Sequence, residues 1–207
     1  SSIVTTILIS IPLGIWSAVK QNKITDYVIR VCTFIGNAMP NFFIALLLIY
    51  VFALQLHWFP VMGNNGFISI ILPTLTLALA MSAKYTRQVR ATVLDELNKD
   101  YVIGARARGI KERTIVLAHV LKSSMLTIVT LLGLSLGSLL GGTAIVESIF
   151  MWPGVGKLAV DAISSRDYQV IQVYVIWMAI IYVAINLITD IVYHYLDPRI
   201  RIQGEEG

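Results

Sequence analysis

Asp100-Tyr101-Val102-Ile103-Gly104-Ala105-Arg106-Ala107-Arg108-Gly109 lies at the centre of the one strongly charged stretch of the chain, residues 84–124, between two long apolar runs. From Lys84 to Lys122 this stretch holds nine of the sixteen Lys and Arg residues. Lys84, Arg87 and Arg90 continue the preceding apolar run as a helix. Asp100 is placed to N-cap a second, short helix, because its carboxylate can accept from exposed backbone N–H groups. Gly109 can end that helix as its C-cap. Ala105 and Gly109 share a face, with Val102 beside it, and Arg106, Arg108, Lys111 and Arg113 flank it. A small-residue face with a basic rim suits docking in a groove on another protein. The plainer alternative is a basic loop lying on anionic lipid, but lipid binding has no need of alternating alanines and a glycine stop.

Outward from this loop the chain is mostly apolar. Hydrophobic residues make up 57% and charged residues 14%, with a mean hydropathy of +0.76. A soluble domain carries about a quarter charged residues. Five runs approach or exceed the roughly 20 residues that cross a bilayer as a helix: Ile3 to Val19, Tyr27 to Leu56, Phe67 to Ala83, Met125 to Trp152 and Val170 to Leu196. Lipid offers the backbone no hydrogen-bond partner, so these runs are helices. A barrel would need many strands of alternating polarity, and no such alternation is present. The expected fold is an all-α polytopic membrane protein, one transmembrane domain over 1–207 with residues 84–124 as a cytoplasmic loop.

The sequence pI of about 9.2 reflects topology rather than nucleic-acid binding. Basic residues favour cytoplasmic loops. With the charged stretch inside, fourteen of the sixteen Lys and Arg are inside, leaving Lys157 and Arg166 outside; the C-terminus is then cytoplasmic. Ser1 leads directly into an apolar run with no positively charged leader, so the start reads as a fragment lacking an upstream helix, not as a secretory signal. The single Cys32 excludes an intrachain disulfide.

Pro40, in Gly36-Asn37-Ala38-Met39-Pro40-Asn41, interrupts a run too long for one straight crossing and predicts a kink or break. The break is either a packing feature or one that turns Asn37 and Asn41 towards a pathway. His57-Trp58-Phe59-Pro60 reads as an interfacial turn. Gly133, Gly137 and Gly141, spaced by four, form a groove for close helix packing.

Catalytic motifs fail on context. Gly133-Leu134-Ser135-Leu136-Gly137 matches a hydrolase nucleophile pattern but lies within a membrane helix rather than a strand–turn–helix. Gly154-Val155-Gly156-Lys157 resembles the end of a phosphate-binding loop, yet Leu158 stands where Ser or Thr would hold magnesium. His57, His119 and His194 fall too far apart in this topology to share a metal. Asp190 and His194 share a face near the inner end of the last span. Interfacial pairing is their plainer reading and a proton relay the sharper one. No catalytic or metal-ligating set follows. An intramembrane enzyme would need a deep polar pair, which is not seen. An ion-coupled secondary transporter would need inverted repeats and mid-membrane ion ligands, for which Asp190 is the sole candidate.

Asp100-Tyr101-Val102 with Ala105-Arg106-Ala107-Arg108-Gly109 and His119-Val120-Leu121-Lys122 resembles the cytoplasmic loop of permease subunits of binding-protein-dependent ABC importers, in the dipeptide, oligopeptide and nickel branch. Ile11-Pro12-Leu13-Gly14, Met39-Pro40-Asn41-Phe42, Ile71-Leu72-Pro73, Gly141-Gly142, Trp152-Pro153-Gly154-Val155-Gly156, Arg166-Asp167-Tyr168 and Leu196-Asp197-Pro198-Arg199-Ile200-Arg201 extend the resemblance over nearly the whole chain. It implies a six-span fold with one span missing here, and a location in the bacterial inner membrane. The implied partners are a second permease, two cytoplasmic ATPases that hold the ATP and magnesium, an extracytoplasmic binding protein, and lipid. Residues Asp100 to Val102 and Ala105 to Ile110 are implied as the coupling helix, docked on the ATPase. Ile103 and Gly104 stand where many importers have Glu and Ala, and Thr127 where a proline is common. Ile11 to Trp16 and Met39 to Phe42 resemble nickel permeases slightly more than peptide ones.

Overall fold

The computed structural model describes residues 1–60, 66–125, 127–130, 133 and 143–196, with side chains through residue 192. Among these residues there is no strand. Helix α1 (Ser2–Val19) is long and apolar enough to span a membrane. So are the stretch Gly66–Leu97, which ends in α4 (Ile71–Leu97), and most of the final helix α9 (Tyr168–Leu196).

The expected span from Tyr27 to Leu56 is not one straight helix, and breaks at Pro40 as expected. Helix α2 (Ile24–Ala38) stops at Met39, and α3 (Asn41–Leu48), prolonged as a π-helical stretch Ile49–Gln55, leaves at 103° to it. The cause is local. Proline excludes the helical region for the residue before it, and Met39 is extended at φ −83°, ψ 128°. Pro40 then starts α3 as its N-cap, where its missing N–H costs nothing. Three spans, or four with the bent pair, are therefore described where the sequence suggests five. Most of the expected span Met125–Trp152 lies outside the described residues.

Helix α1 packs along α4 through a stripe of small residues, Thr6, Ser10, Gly14, Ser17 and Ala18, all buried. Small side chains let two helix backbones approach where lipid supplies no hydrophobic drive. A Cβ on Gly14 would stand 2.6 Å from Val89 Cγ1 and 3.0 Å from the Thr86 carbonyl oxygen. Thr6 satisfies its hydroxyl on the Ser2 carbonyl at 2.8 Å, so its burial leaves no orphan donor. Helix α2 closes on α4 in the same manner, with a Cβ on Gly36 meeting Ala83 Cβ at 3.0 Å.

Two cores result. One gathers Ile44, Ala45, Leu48, Ile49 and Ala53 of α3 and its extension with Leu72 of α4 and with Val146 and Phe150, from α7 (Ala144–Ile149) and its end. The other lies at the C-terminal end of α4, where Val89, Val93 and Leu97 meet Ala18 of α1 and the charged segment. The turn at His57-Trp58 folds back on the π-helical stretch. Trp58 N–H donates to the Phe52 carbonyl at 2.9 Å, and the Phe52 ring lies 5.8 Å from that of Trp58.

Past α7 the chain reverses into α8 (Val155–Ser165). Glu147 explains Gly154-Val155-Gly156-Lys157. Its carboxylate accepts the Lys157 N–H at 2.8 Å and so caps the start of α8. A Cβ on Gly154 would collide with that carboxylate, and one on Gly156 would stand 2.7 Å from Ala144 Cα. An acid therefore sits where a phosphate-binding loop would hold phosphate. Arg166 ends α8 in the left-handed conformation, at φ 56°. Asp167 then accepts the Val170 N–H at 3.2 Å, which caps α9.

Candidate functional site

The charged segment folds as a short lever on the end of α4. Helix α5 covers Asp100–Ala107, as the spacing predicts, but Lys99 and not Asp100 is its N-cap. Asp100 is the first helical residue and makes no side-chain cap, so it acts only as an anion near the positive end of the helix dipole. The C-terminal stop is the expected one. Gly109 has φ +73°. Its N–H donates to the Arg106 carbonyl at 2.9 Å, and the Ile110 N–H donates to that of Ala105 at 3.2 Å. These two bonds form a Schellman motif, which uses glycine because it enters the left-handed region without penalty. Nothing lies within 4 Å of a Cβ built on Gly109. Within this chain the glycine serves its backbone conformation, not a close approach.

The residues expected on the docking face divide between two sides of α5, with Arg106, Ala107, Arg108 and Gly109 exposed. Val102 and Ala105 point inward, fully or nearly fully buried in the core with Val93, Leu97 and a π-helical stretch Ile115–Val120. That stretch follows α6 (Glu112–Thr114) and runs on as helix over 121–125 and 127–130, past Thr127. Ile110 packs on the same core. The outward face of α5 is Asp100, Ile103, Gly104, Ala107 and Arg108, a set spaced at one face of a helix, and all five are exposed. Ile103 is the conspicuous member, 58% exposed although apolar.

Polar contacts fix the ends of α5. The Tyr101 hydroxyl donates to Glu96 Oε2 at 2.9 Å, and Lys99 pairs with Glu96 at 2.5 Å. Burial pushes the Tyr101 hydroxyl above its usual pKa, and the Glu96 carboxylate adds to that shift. Arg106 is exposed but committed to a partner. It forks onto Glu112, with Nη2–Oε1 at 2.6 Å and Nε–Oε2 at 3.1 Å. The guanidinium holds the Glu112 carboxyl below the usual carboxylate range. Both partners are about half exposed, so the pair contributes at most about 1 kcal/mol.

One constellation has no counterpart among the sequence expectations. Asp26, fully buried, accepts from Arg90 Nε and Nη2, both at 2.8 Å, from the Ser17 hydroxyl at 2.5 Å and from the Asn22 N–H at 3.1 Å. These contacts tie α1, the α1–α2 turn and α2 to α4 at the root of the lever. An Arg fork on one carboxylate is the strongest arrangement of its kind.

The remaining expected positions scatter. Asn37 is exposed at the end of α2 and Asn41 half-buried at the start of α3, on either side of the bend. Gly133 is helical and buried, and a Cβ there would collide with the Thr189 side chain of α9. Its packing partner is thus within this chain. Gly137 and Gly141 lie outside the described residues. Asp190 is exposed on α9, and the His194 side chain lies outside the described residues. Among the described residues no group of three His, Cys, Asp or Glu is placed to hold a metal.

A family model described as "Binding-protein-dependent transport system inner membrane component" matches residues 10–202. The oligopeptide transport system permease protein AppB of Bacillus subtilis is 43% identical over 209 residues, covering 96% of this chain and 66% of AppB. The glutathione transport system permease protein GsiC of Escherichia coli (strain K12) is 39% identical over 201 residues, covering 97% of this chain and 66% of GsiC. The chain thus spans just under two thirds of the length of these curated relatives. Among solved structures, the MetNI methionine ABC transporter in an inward-facing conformation matches with a TM-score of 0.77 at 16% identity, over 95% of this chain and 89% of that one. This match is a likeness of fold. The chain belongs to the family of inner-membrane components of binding-protein-dependent transport systems.

Proposed function

We propose that this chain is the pore-forming permease subunit of an ATP-driven importer of short peptides, coupled through α5 to cytoplasmic ATPase subunits. The observation that carries this reading is the construction of α5. It has an inward face locked into the core of α4 and an outward face of Ile103, Gly104, Ala107 and Arg108 that no described residue covers. A coupling element must transmit a displacement rather than absorb it. Val102 and Ala105, buried beside Val93 and Leu97, make α5 move as one body with the helix it extends. The outward face pairs an apolar side chain with two small ones and a guanidinium, a pattern suited to a groove on a soluble partner.

The other assignments follow from the same reading. Two ATPases beneath the membrane bind and hydrolyse ATP with magnesium, a second permease completes the pore, and a binding protein delivers cargo from outside. The C-terminus is cytoplasmic, and residues 84–124 form the coupling loop. The oligopeptide and glutathione permeases among the relatives support a peptide cargo. Nickel, or a nickel chelate, is the second reading, favoured by Ile11 to Trp16 and Met39 to Phe42.

The test is reconstitution of the full-length permease with its ATPase and binding-protein partners. Binding-protein-stimulated ATP hydrolysis, and crosslinks from Ile103→Cys and Arg108→Cys to an ATPase, are the expected results. Uptake that proceeds without any ATPase on a proton gradient would sink the reading in favour of a secondary carrier. Calorimetry of the binding protein with peptides and with nickel chelates decides the cargo.

A further inference from the structure

Helices α2 and α4 leave an open groove of about 440 Å³ lined by Tyr27, Arg30, Val31, Phe34, Arg87 and Arg90. Three guanidinium groups meet there, and the structure neutralises one of them. Arg90 is committed to Asp26. Arg30 lies over the Tyr27 ring at 5.6 Å, which orients it but leaves its charge uncompensated. Among the described residues neither Arg30 nor Arg87 has a carboxylate partner, and both are exposed. The rest of the wall is apolar: Tyr27, Val31 and Phe34 are each more than half exposed.

We infer that this groove binds an anionic phospholipid, its headgroup phosphate on Arg30 and Arg87 and an acyl chain along Val31 and Phe34. Charge complementarity selects the headgroup. Two like charges held beside a low-dielectric surface repel one another until a counter-anion joins them. The apolar wall selects lipid over a soluble anion, because free phosphate gains nothing from Val31 and Phe34. Basic pockets between membrane helices are the usual receptors for such headgroups. The assignment requires only that α2 and α4 lie in a membrane, so it stands or falls separately from the coupling role of α5.

The experiment uses the full-length permease in its purified complex, exchanged into mixed micelles of phosphatidylglycerol and phosphatidylcholine, with retained lipid counted by native mass spectrometry. The wild type should retain phosphatidylglycerol in preference. In the Arg30→Gln/Arg87→Gln double variant the preference should fall about 25-fold, at a factor of about five per basic residue. Arg30→Lys/Arg87→Lys, which keeps the charge, should retain most of it. Arg113→Gln, a basic change outside the groove, should leave it unaltered. Unchanged preference in the glutamine variant overturns the proposal. So does displacement of the lipid by millimolar inorganic phosphate, which would make the site one for a soluble anion. Labelling of the second permease, rather than of photoactivatable phosphatidylglycerol, from a crosslinker at Phe34→Cys would show a protein neighbour in the groove and overturn it as well.

Discussion

At the scale of single residues, Gly14 and Asp26 join α1 and α2 to α4, and neither role is legible in the sequence. In the sequence, Gly14 stands out only within Ile11-Pro12-Leu13-Gly14. Its role is steric, with Val89 occupying the space a methyl group would need. Gly14→Ala should destabilise the folded permease by about 1–3 kcal/mol, read as a loss of thermal stability in detergent without loss of membrane insertion. The hydroxyls of Thr6 and Ser10 disguised this face as polar, although the spacing of Thr6, Ser10 and Gly14 by four was a usable signal. Asp26 was hidden for another reason. Its partner Arg90 is 64 residues away, and reading the basic residues as topology markers assigned Arg90 to the loop. Asp26→Asn removes the charge that balances Arg90 and should cost about 3–5 kcal/mol, as for other buried pairs broken on one side. Asp26→Asn combined with Arg90→Met should recover part of that loss, and a double variant whose loss equals the sum of the two single losses would show that the two side chains act independently.

At the scale of elements, helix stops were legible and helix faces were not. Gly109 is identifiable from sequence because few residues other than glycine tolerate the left-handed backbone that ends α5. Gly109→Val should abolish uptake and binding-protein-stimulated ATP hydrolysis while leaving insertion intact, since a β-branched residue at φ +73° costs about 1–2 kcal/mol and unwinds the stop. Normal transport by this variant would detach α5 from coupling. The inward turn of Val102 and Ala105 could not be read from the loop alone. Small residues serve a docking face and a tight intramolecular contact equally well, and the Ile115–Val120 stretch that covers them supplies the missing half of the pattern. Arg166 gives the converse case. It holds the left-handed C-terminal position of α8 without being glycine, so Arg166→Gly should stabilise the fold by up to about 1 kcal/mol, measured as a rise in unfolding midpoint.

At the scale of the whole molecule, composition alone settles that the chain is helical and membrane-spanning, and the comparisons agree on family. The number of crossings was less legible, because hydropathy counts apolar length and is blind to direction: Tyr27 to Leu56 is one continuous signal but two helices at 103°. The bend at Pro40 has a consequence of its own. A helix interrupted within the bilayer exposes carbonyls at the end of one half and N–H groups at the start of the other, and hydrocarbon can satisfy neither. Water at the Ala38–Asn41 corner would satisfy them. In a Cys32→Ser background, Asn41→Cys should react with a membrane-impermeant thiol reagent many times faster than Val183→Cys on α9. Such hydration would make this elbow a wet foothold at depth, where a polar solute could shed part of its water shell in stages.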